Sequence, residues 1–214
     1  MAKLILTRFL YIYDEVCISF ITSLLKKNSL DECYFWISEL YLSGFHEQSW
    51  ELIWFTYYDF YYIHHHLFEE YLSKKQSIND LKSILSVVKN MFKMKSSSQV
   101  FITRQYNNQI KEITRIFRGK KPNWLLKYPS KYHGLFRFID KQLYHFAVSS
   151  LPETYTSTSS DELFDAIKMY FNIPDEQFLS FTQRIQMSTY DNPFHKLWSL
   201  ICLFIFNPSY HITK

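Results

Sequence analysis

The sequence predicts an all-α protein, and three observations lead to that prediction. Ser29-Leu-Asp-Glu32 is a capping-box pattern, and Gly44 is a suitable residue just beyond a helix end. Pro193 occupies a position typical of a first helical turn. Apolar residues recur at helical spacing between such signals. We expect an irregular domain of about eight or nine helices with a less regular basic central segment.

The first part of the chain is predicted to hold five helices. They are expected at residues 14–27, 30–43, 47–63, 67–73 and 77–93, with Ser77 capping the last. Residues 50–63, WELIWFTYYDFYYI, place Trp50, Trp54 and Tyr57 on one broad face. Glu51 and Asp59 lie within this stretch, so it is predicted to be an amphipathic core helix rather than a membrane span.

The central and C-terminal parts are less uniform. Residues 95–134 combine a serine run and an extended-looking Val100-Phe101-Ile102 with a helix near 105–117. Helical pattern returns at 131–150, and residues 153–160 form a polar linker before further helices, the last from Pro193 to before Asn207-Pro208. The predicted domains are 1–94, 95–134 and 135–214, with one continuous domain as the alternative.

Composition excludes several classes of site. The chain has 3 glycines among 214 residues and no GxGxxG, GxxxxGK[ST] or GxSxG motif, so Gly-rich phosphate loops are not expected. Its 3 cysteines include no CxxC pair and are predicted to be reduced thiols. Arg8 interrupts the apolar N-terminus, and no long uncharged segment follows, so we expect a soluble intracellular protein without a signal peptide or membrane contact.

Residues with catalytic or metal-binding chemistry form no convincing motif. His64, His65 and His66 are consecutive and would point about 100° apart on a helix, so no metal site and no cofactor are predicted. Glu39, flanked by Ile37 and Leu40, is expected to be partly buried and paired with a basic residue. No local pattern supports a catalytic triad, and the protein is predicted not to be an enzyme.

Charge is strongly asymmetric along the chain. Residues 89–137 contain twelve Lys and Arg and the single acid Glu112, a net charge of +11 in a chain whose total is +4. Aromatic residues are interleaved with these basic residues. Basic side chains that neutralise phosphates, next to rings on which bases stack, are typical of sequence-tolerant nucleic-acid binding.

The sequence therefore predicts binding of nucleic acid or another polyanion by this segment. The candidate residues are Arg104, Lys111, Arg115, Arg118, Lys120, Lys121, Lys127 and Lys131 for phosphate contact, and Trp124 and Tyr128 for stacking. The alternative is a protein–protein adaptor or virion component with no nucleic-acid role, in which the segment docks on an acidic protein surface. A further alternative is that the acidic flanks at 31–70 and 153–176 fold over the segment and neutralise it internally. Phe55 and Tyr62 lie on the polar side of their helix and either are covered or form a protein contact.

Several strings resemble a known group of proteins. YDEVCISFITSLL, LDECYFWISELYLSGF, WELIWFTYYDFYYI, SQVFITRQY and RGKKPNWL look like an uncharacterised protein family of large DNA viruses of protists. The resemblance covers most of the first 130 residues and rests on no catalytic motif. It implies a viral protein located in the host cell cytoplasm, the viral factory or the virion, and it assigns no activity or functional residue.

Overall fold

Twelve α-helices lie in the part of the chain that the computed structural model describes, which is residues 4–105, 120–154, 160–207 and 209–210. They are α1 Tyr13–Lys26, α2 Leu30–Leu42, α3 His46–Phe60, α4 Tyr62–His65, α5 Phe68–Ile78, α6 Leu81–Lys93, α7 Gln99–Gln105, α8 His133–Asp140, α9 Tyr144–Thr154, α10 Ser160–Phe171, α11 Asp175–Met187 and α12 Pro193–Phe206. Two 3₁₀ helices span Asn123–Lys127 and Ser130–Tyr132. The all-α prediction is confirmed, whereas the expected count of eight or nine helices is too low.

Local breaks move some helix boundaries and divide one expected helix into two. Ser77 does not cap a helix, because α5 continues to Ile78 and Asn79 takes a left-handed conformation with φ of 51°. Asp80 is the cap instead and accepts a hydrogen bond from the Ser83 N–H at 2.7 Å. Gln142, with φ of 58°, likewise separates α8 from α9 within the expected helix 131–150.

Two further expectations concern the central segment. Val100-Phe101-Ile102 is not extended but helical, within α7. The expected helix near 105–117 lies almost entirely outside the described residues.

The chain forms two compact units. The first consists of Met1–Ser97 and Gln186–Asp191, and the second of Ser98–Ile185 and Asn192–Lys214. In the first unit α2 packs against α1, α3 and α6, and the core is rich in aromatic rings. Its largest fully buried side chains are Trp50, Trp54, Tyr57, Tyr58, Tyr61, Tyr62 and Phe20. Because aromatic rings bury large apolar areas, they supply much of this unit's stabilisation.

The second unit is built around α12, in which every residue from Leu197 to Phe204 is buried. In this unit α7 packs against α9 and α12, and α8 packs against α9. The Trp198 indole N–H donates to the Thr103 hydroxyl at 2.9 Å, which satisfies a polar group deep in the core.

The N-terminal loop is fixed by a buried acid. Glu39 is fully buried, and its Oε2 lies 2.8 Å from the Arg8 Nε. Its Oε1 accepts the Phe9 N–H at 3.0 Å. The prediction that Glu39 is a buried, salt-bridged acid is therefore confirmed, with Arg8 as its partner.

Candidate polyanion-binding surface

The residues predicted to contact phosphate fall into three groups. Lys111, Arg115 and Arg118 lie outside the described residues. Arg104 is half-buried near the end of α7. The remaining candidates lie between Lys120 and Lys131, along the two 3₁₀ helices of the second unit.

Prolines define the first of these 3₁₀ helices. Pro122 precedes it in an extended conformation, and its carbonyl accepts the Leu125 N–H at 3.0 Å. Pro129 follows it and cannot donate a backbone hydrogen bond. Leu125 is fully buried, whereas Lys127, two positions on, is exposed. The turn therefore inserts one apolar side chain into the core and leaves its basic end at the surface.

Aromatic packing anchors the same turn. The Tyr128 ring lies 4.8 Å from the Phe136 ring in α8 and 6.0 Å from the Tyr170 ring in α10. The Trp124 ring also contacts Tyr170, at 5.9 Å between centroids. His133 Nε2 lies 2.8 Å from the Tyr128 carbonyl and donates to it, so the ring proton is on Nε2. The basic turn is thus held on a packed scaffold.

These contacts overturn one sequence prediction. Tyr128 is only 5 % exposed, so it is a core residue and not a stacking platform for a base. Trp124 is half-buried, so part of its side chain is accessible to solvent. It follows Lys120 and Lys121 closely in the sequence. Of the two residues predicted to stack on bases, Trp124 therefore remains available and Tyr128 does not.

The lysines of this turn differ in their pairing. Lys120, Lys121 and Lys127 are exposed, and no carboxylate of the described residues pairs with them. Lys131 instead forms an ion pair with Glu162. Hydrogen bonds to Glu162 and then to Tyr132 raise the pKa of Lys131. Its charge is therefore compensated within the unit. Among the described residues from 120 to 131, Lys120, Lys121 and Lys127 are the lysines that face solvent without an acidic partner. We name these three side chains the lysine surface.

The proposed Phe55–Tyr62 contact does not form a surface patch. Tyr62 is completely buried, and its ring packs edge-on against Tyr57 at 5.8 Å. Phe55 is half-buried. The prediction of a protein contact at Tyr62 is therefore wrong, since neighbouring rings cover it.

Sequence reasoning missed an exposed apolar loop at the N-terminus. Phe9 is 59 % exposed and Leu10 is 74 % exposed, at a turn closed by the Leu10 N–H donating to the Thr7 carbonyl at 2.9 Å. Periodicity could not have found it, because the period of a helix or strand does not show which side chains a loop presents to solvent. Leu10 has a φ of 66°, and this left-handed conformation is uncommon for a branched side chain.

No protein-family model matches the chain, and neither a curated protein nor a solved structure is significantly similar to it. Within the described ranges, no helix combines the length and apolar character needed to cross a membrane. The same residues contain no cluster of three or more side chains suited to hold a metal ion. Function is therefore inferred from the chain's own surface and cavities.

Proposed function

We propose that the protein is a non-enzymatic helical protein that binds nucleic acid or another polyanion through its central basic segment. The observation that supports this is the lysine surface: Lys127 ends a 3₁₀ helix that Leu125 and Tyr128 anchor in the core, and Lys120 and Lys121 are exposed just before that helix. Exposed lysines that pair with no carboxylate of the described residues can contact phosphates, and the release of counterions from the phosphates favours such binding. The binding is expected to tolerate different sequences, because lysine contacts to phosphate carry no base information.

The test is binding of a labelled single-stranded oligonucleotide to the full chain across a salt series. Affinity is expected to fall as salt rises, because binding releases counterions from the phosphates. The double variant Lys120→Glu and Lys121→Glu should weaken binding and lower the slope of log affinity against log salt by about 0.7 for each lost contact. A matched control is Lys74→Glu with Lys82→Glu, two exposed lysines of the first unit that make the same change in net charge.

Two results would contradict the proposal. One is an absence of binding at low salt. The other is equal weakening by the Lys120 and Lys121 variant and by the control variant, since this would show a response to net charge and not to a site.

A second candidate function is that of a protein–protein adaptor or virion component. The observation that favours it is the exposed apolar loop at Phe9 and Leu10, since exposed apolar side chains at one turn are typical of contact surfaces. The Lys131–Glu162 pair also shows that part of the basic segment is neutralised within the protein. Failure of oligonucleotide binding, together with partner capture that is lost in Phe9→Ser with Leu10→Ser, would favour this function.

A further inference from the structure

A cleft of about 710 Å³ lies in the first unit, where the end of α4 and the start of α5 face the end of α6. Its volume falls in the range of about 300–1,000 Å³ that is usual for small-molecule sites. The lining residues are His64, His65, His66, Leu67, Phe68, Tyr71, Asn90, Lys93, Met94 and Lys95. The residues that line the cleft belong to the first unit, and those of the lysine surface belong to the second.

Hydrogen bonds between the backbone and His65 hold one wall of this cleft. The Lys95 N–H donates to His65 Nε2 at 3.1 Å, and the Tyr57 hydroxyl donates to the His65 carbonyl at 3.0 Å. Because Nε2 accepts, the His65 ring carries its proton on Nδ1. Further along the same segment, the Ser97 N–H donates to the Phe60 carbonyl at 2.7 Å. The wall is therefore formed before any ligand arrives.

The basic side chains of the lining are two lysines, which are positively charged, and three histidines, which become positively charged when protonated. Lys93 and Lys95 are exposed at its edge, and the lining includes no Asp or Glu. Burial, followed by the charges of Lys95 and His65, lowers the pKa of His64. Burial and the nearby Lys27 also lower the pKa of His65. Near neutral pH these two histidines are therefore uncharged, and Lys93 and Lys95 supply the positive potential that attracts an anionic group to the cleft.

A second part of the lining is aromatic. Phe68 and Tyr71 are one turn apart in α5, and their rings stack with centroids 5.1 Å apart and planes at 28°. The Tyr71 and Ser86 hydroxyls share a hydrogen bond of 2.7 Å, which fixes the orientation of the Tyr71 ring. Both rings are half-buried. The Lys75 ammonium lies 5.5 Å from the Tyr71 centroid and the Tyr57 ring 6.0 Å from that of Phe68, so a planar ligand would stack on the ring area that these neighbours leave accessible.

We propose that this cleft binds a small aromatic phosphate, of which a nucleoside monophosphate is representative. The phosphate lies toward Lys93 and Lys95, since ammonium groups form strong charge-assisted hydrogen bonds with phosphate oxygens. The planar ring lies toward Phe68 and Tyr71, where it buries apolar area by stacking. The binding does not depend on the lysine surface, so either proposal stands or falls on its own variants.

The test is isothermal titration of the full chain with adenosine 5′-monophosphate, adenosine and inorganic phosphate. The monophosphate should bind most tightly, because it alone uses both the lysines and the aromatic part of the lining. Lys93→Gln with Lys95→Gln should weaken monophosphate binding by about tenfold or more and leave adenosine binding unchanged. Phe68→Leu should weaken both adenosine-containing probes and leave inorganic phosphate unchanged. Lys74→Gln with Lys82→Gln, and Lys120→Glu with Lys121→Glu, should bind the monophosphate as the unaltered protein does.

The phosphate could belong to a free small molecule or to the end of a nucleic acid. Displacement of the monophosphate by a 5′-phosphorylated oligonucleotide, and not by its 5′-hydroxyl counterpart, would identify the end of a strand as the source. Displacement by neither would identify a free small molecule. No monophosphate binding at millimolar concentration would overturn the proposal, and so would unchanged affinity in the folded Lys93 and Lys95 variant.

Discussion

Glu39 illustrates how one buried side chain organises a loop. Burial raises the pKa of this carboxyl, but hydrogen bonds from Arg8 and the Phe9 N–H outweigh that effect, and the pKa is lowered. The neighbouring Ile37 and Leu40 made a buried acid predictable from sequence, since an acid in an apolar context needs a partner. Arg8 was not predictable as that partner, because it lies 31 positions away in a loop.

Replacing Glu39 by glutamine is expected to destabilise the first unit by about 1–3 kcal/mol near neutral pH, because a charge-assisted hydrogen bond is lost. A carboxyl with a lowered pKa in the folded state stabilises it fully above the unfolded pKa of about 4.3. This contribution is lost as the pH falls through the folded value. Urea unfolding at about pH 7 and about pH 3 should therefore show a difference between Glu39→Gln and the unaltered protein that shrinks in acid.

Glu47, exposed in the first turn of α3, provides the control for this prediction. Glu47→Gln is expected to change stability by less than about 0.5 kcal/mol, as surface substitutions usually do. A stability loss in Glu39→Gln that stays constant between the two pH values would show that the lost contribution is packing and not charge.

Tyr128 shows the limit of sequence reasoning at the level of a single residue. Its neighbours Lys127 and Lys131 suggested a surface ring, yet Phe136 and Tyr170 bury it. Burial here is decided by tertiary packing against α8, which follows closely in the chain, and against α10, which begins more than thirty positions later. Charge in the immediate sequence therefore predicts where a segment meets solvent, but not which of its rings face inward.

At the scale of the element, boundaries were predictable where a cap and a proline coincide. α12 begins at Pro193 and ends at Phe206, as the sequence indicated. Gly44 also lies just beyond α2 as expected, with a φ of 90° that favours glycine. α7 was missed because Val100 and Ile102 are β-branched and favour strands locally. In the structure the segment is instead a helix, which packs against α9 and α12.

The cap of α12 provides a test of this reasoning. The Asn192 side chain accepts the His195 N–H at 3.0 Å, so Asn192→Ala leaves that donor without its partner. The expected cost is about 1 kcal/mol in the unfolding of the second unit, measured by chemical denaturation. Asn192→Asp keeps an acceptor at the same position and should be nearly neutral. Equal losses in the alanine and aspartate variants would show that the side-chain acceptor contributes nothing.

At the scale of the whole molecule, the return of the chain to its first unit at Gln186–Asp191 was beyond the reach of local pattern. Residues Gln186–Asp191 belong to the first unit although they follow α10 and most of α11. The Tyr190 ring stacks on Tyr58 at 5.3 Å, and the Ser188 hydroxyl lies 3.2 Å from the Tyr58 hydroxyl. Nothing in the polar string around these residues marks it as part of an aromatic core formed more than a hundred positions earlier.

If Gln186–Asp191 completes the first unit, Tyr190→Ala should loosen α3 in particular. Tyr190 also stacks on Trp54 at 6.4 Å, so its removal takes two ring contacts from the buried face of that helix. Each aromatic pair contributes about 0.5–1.5 kcal/mol, so hydrogen exchange measured by mass spectrometry should speed up roughly tenfold in α3. Exchange in α12, a helix of the second unit, should not change. The control is Met187→Ala, because that side chain is 77 % exposed. Unchanged exchange in α3 would mean that the segment covers this face without stabilising it.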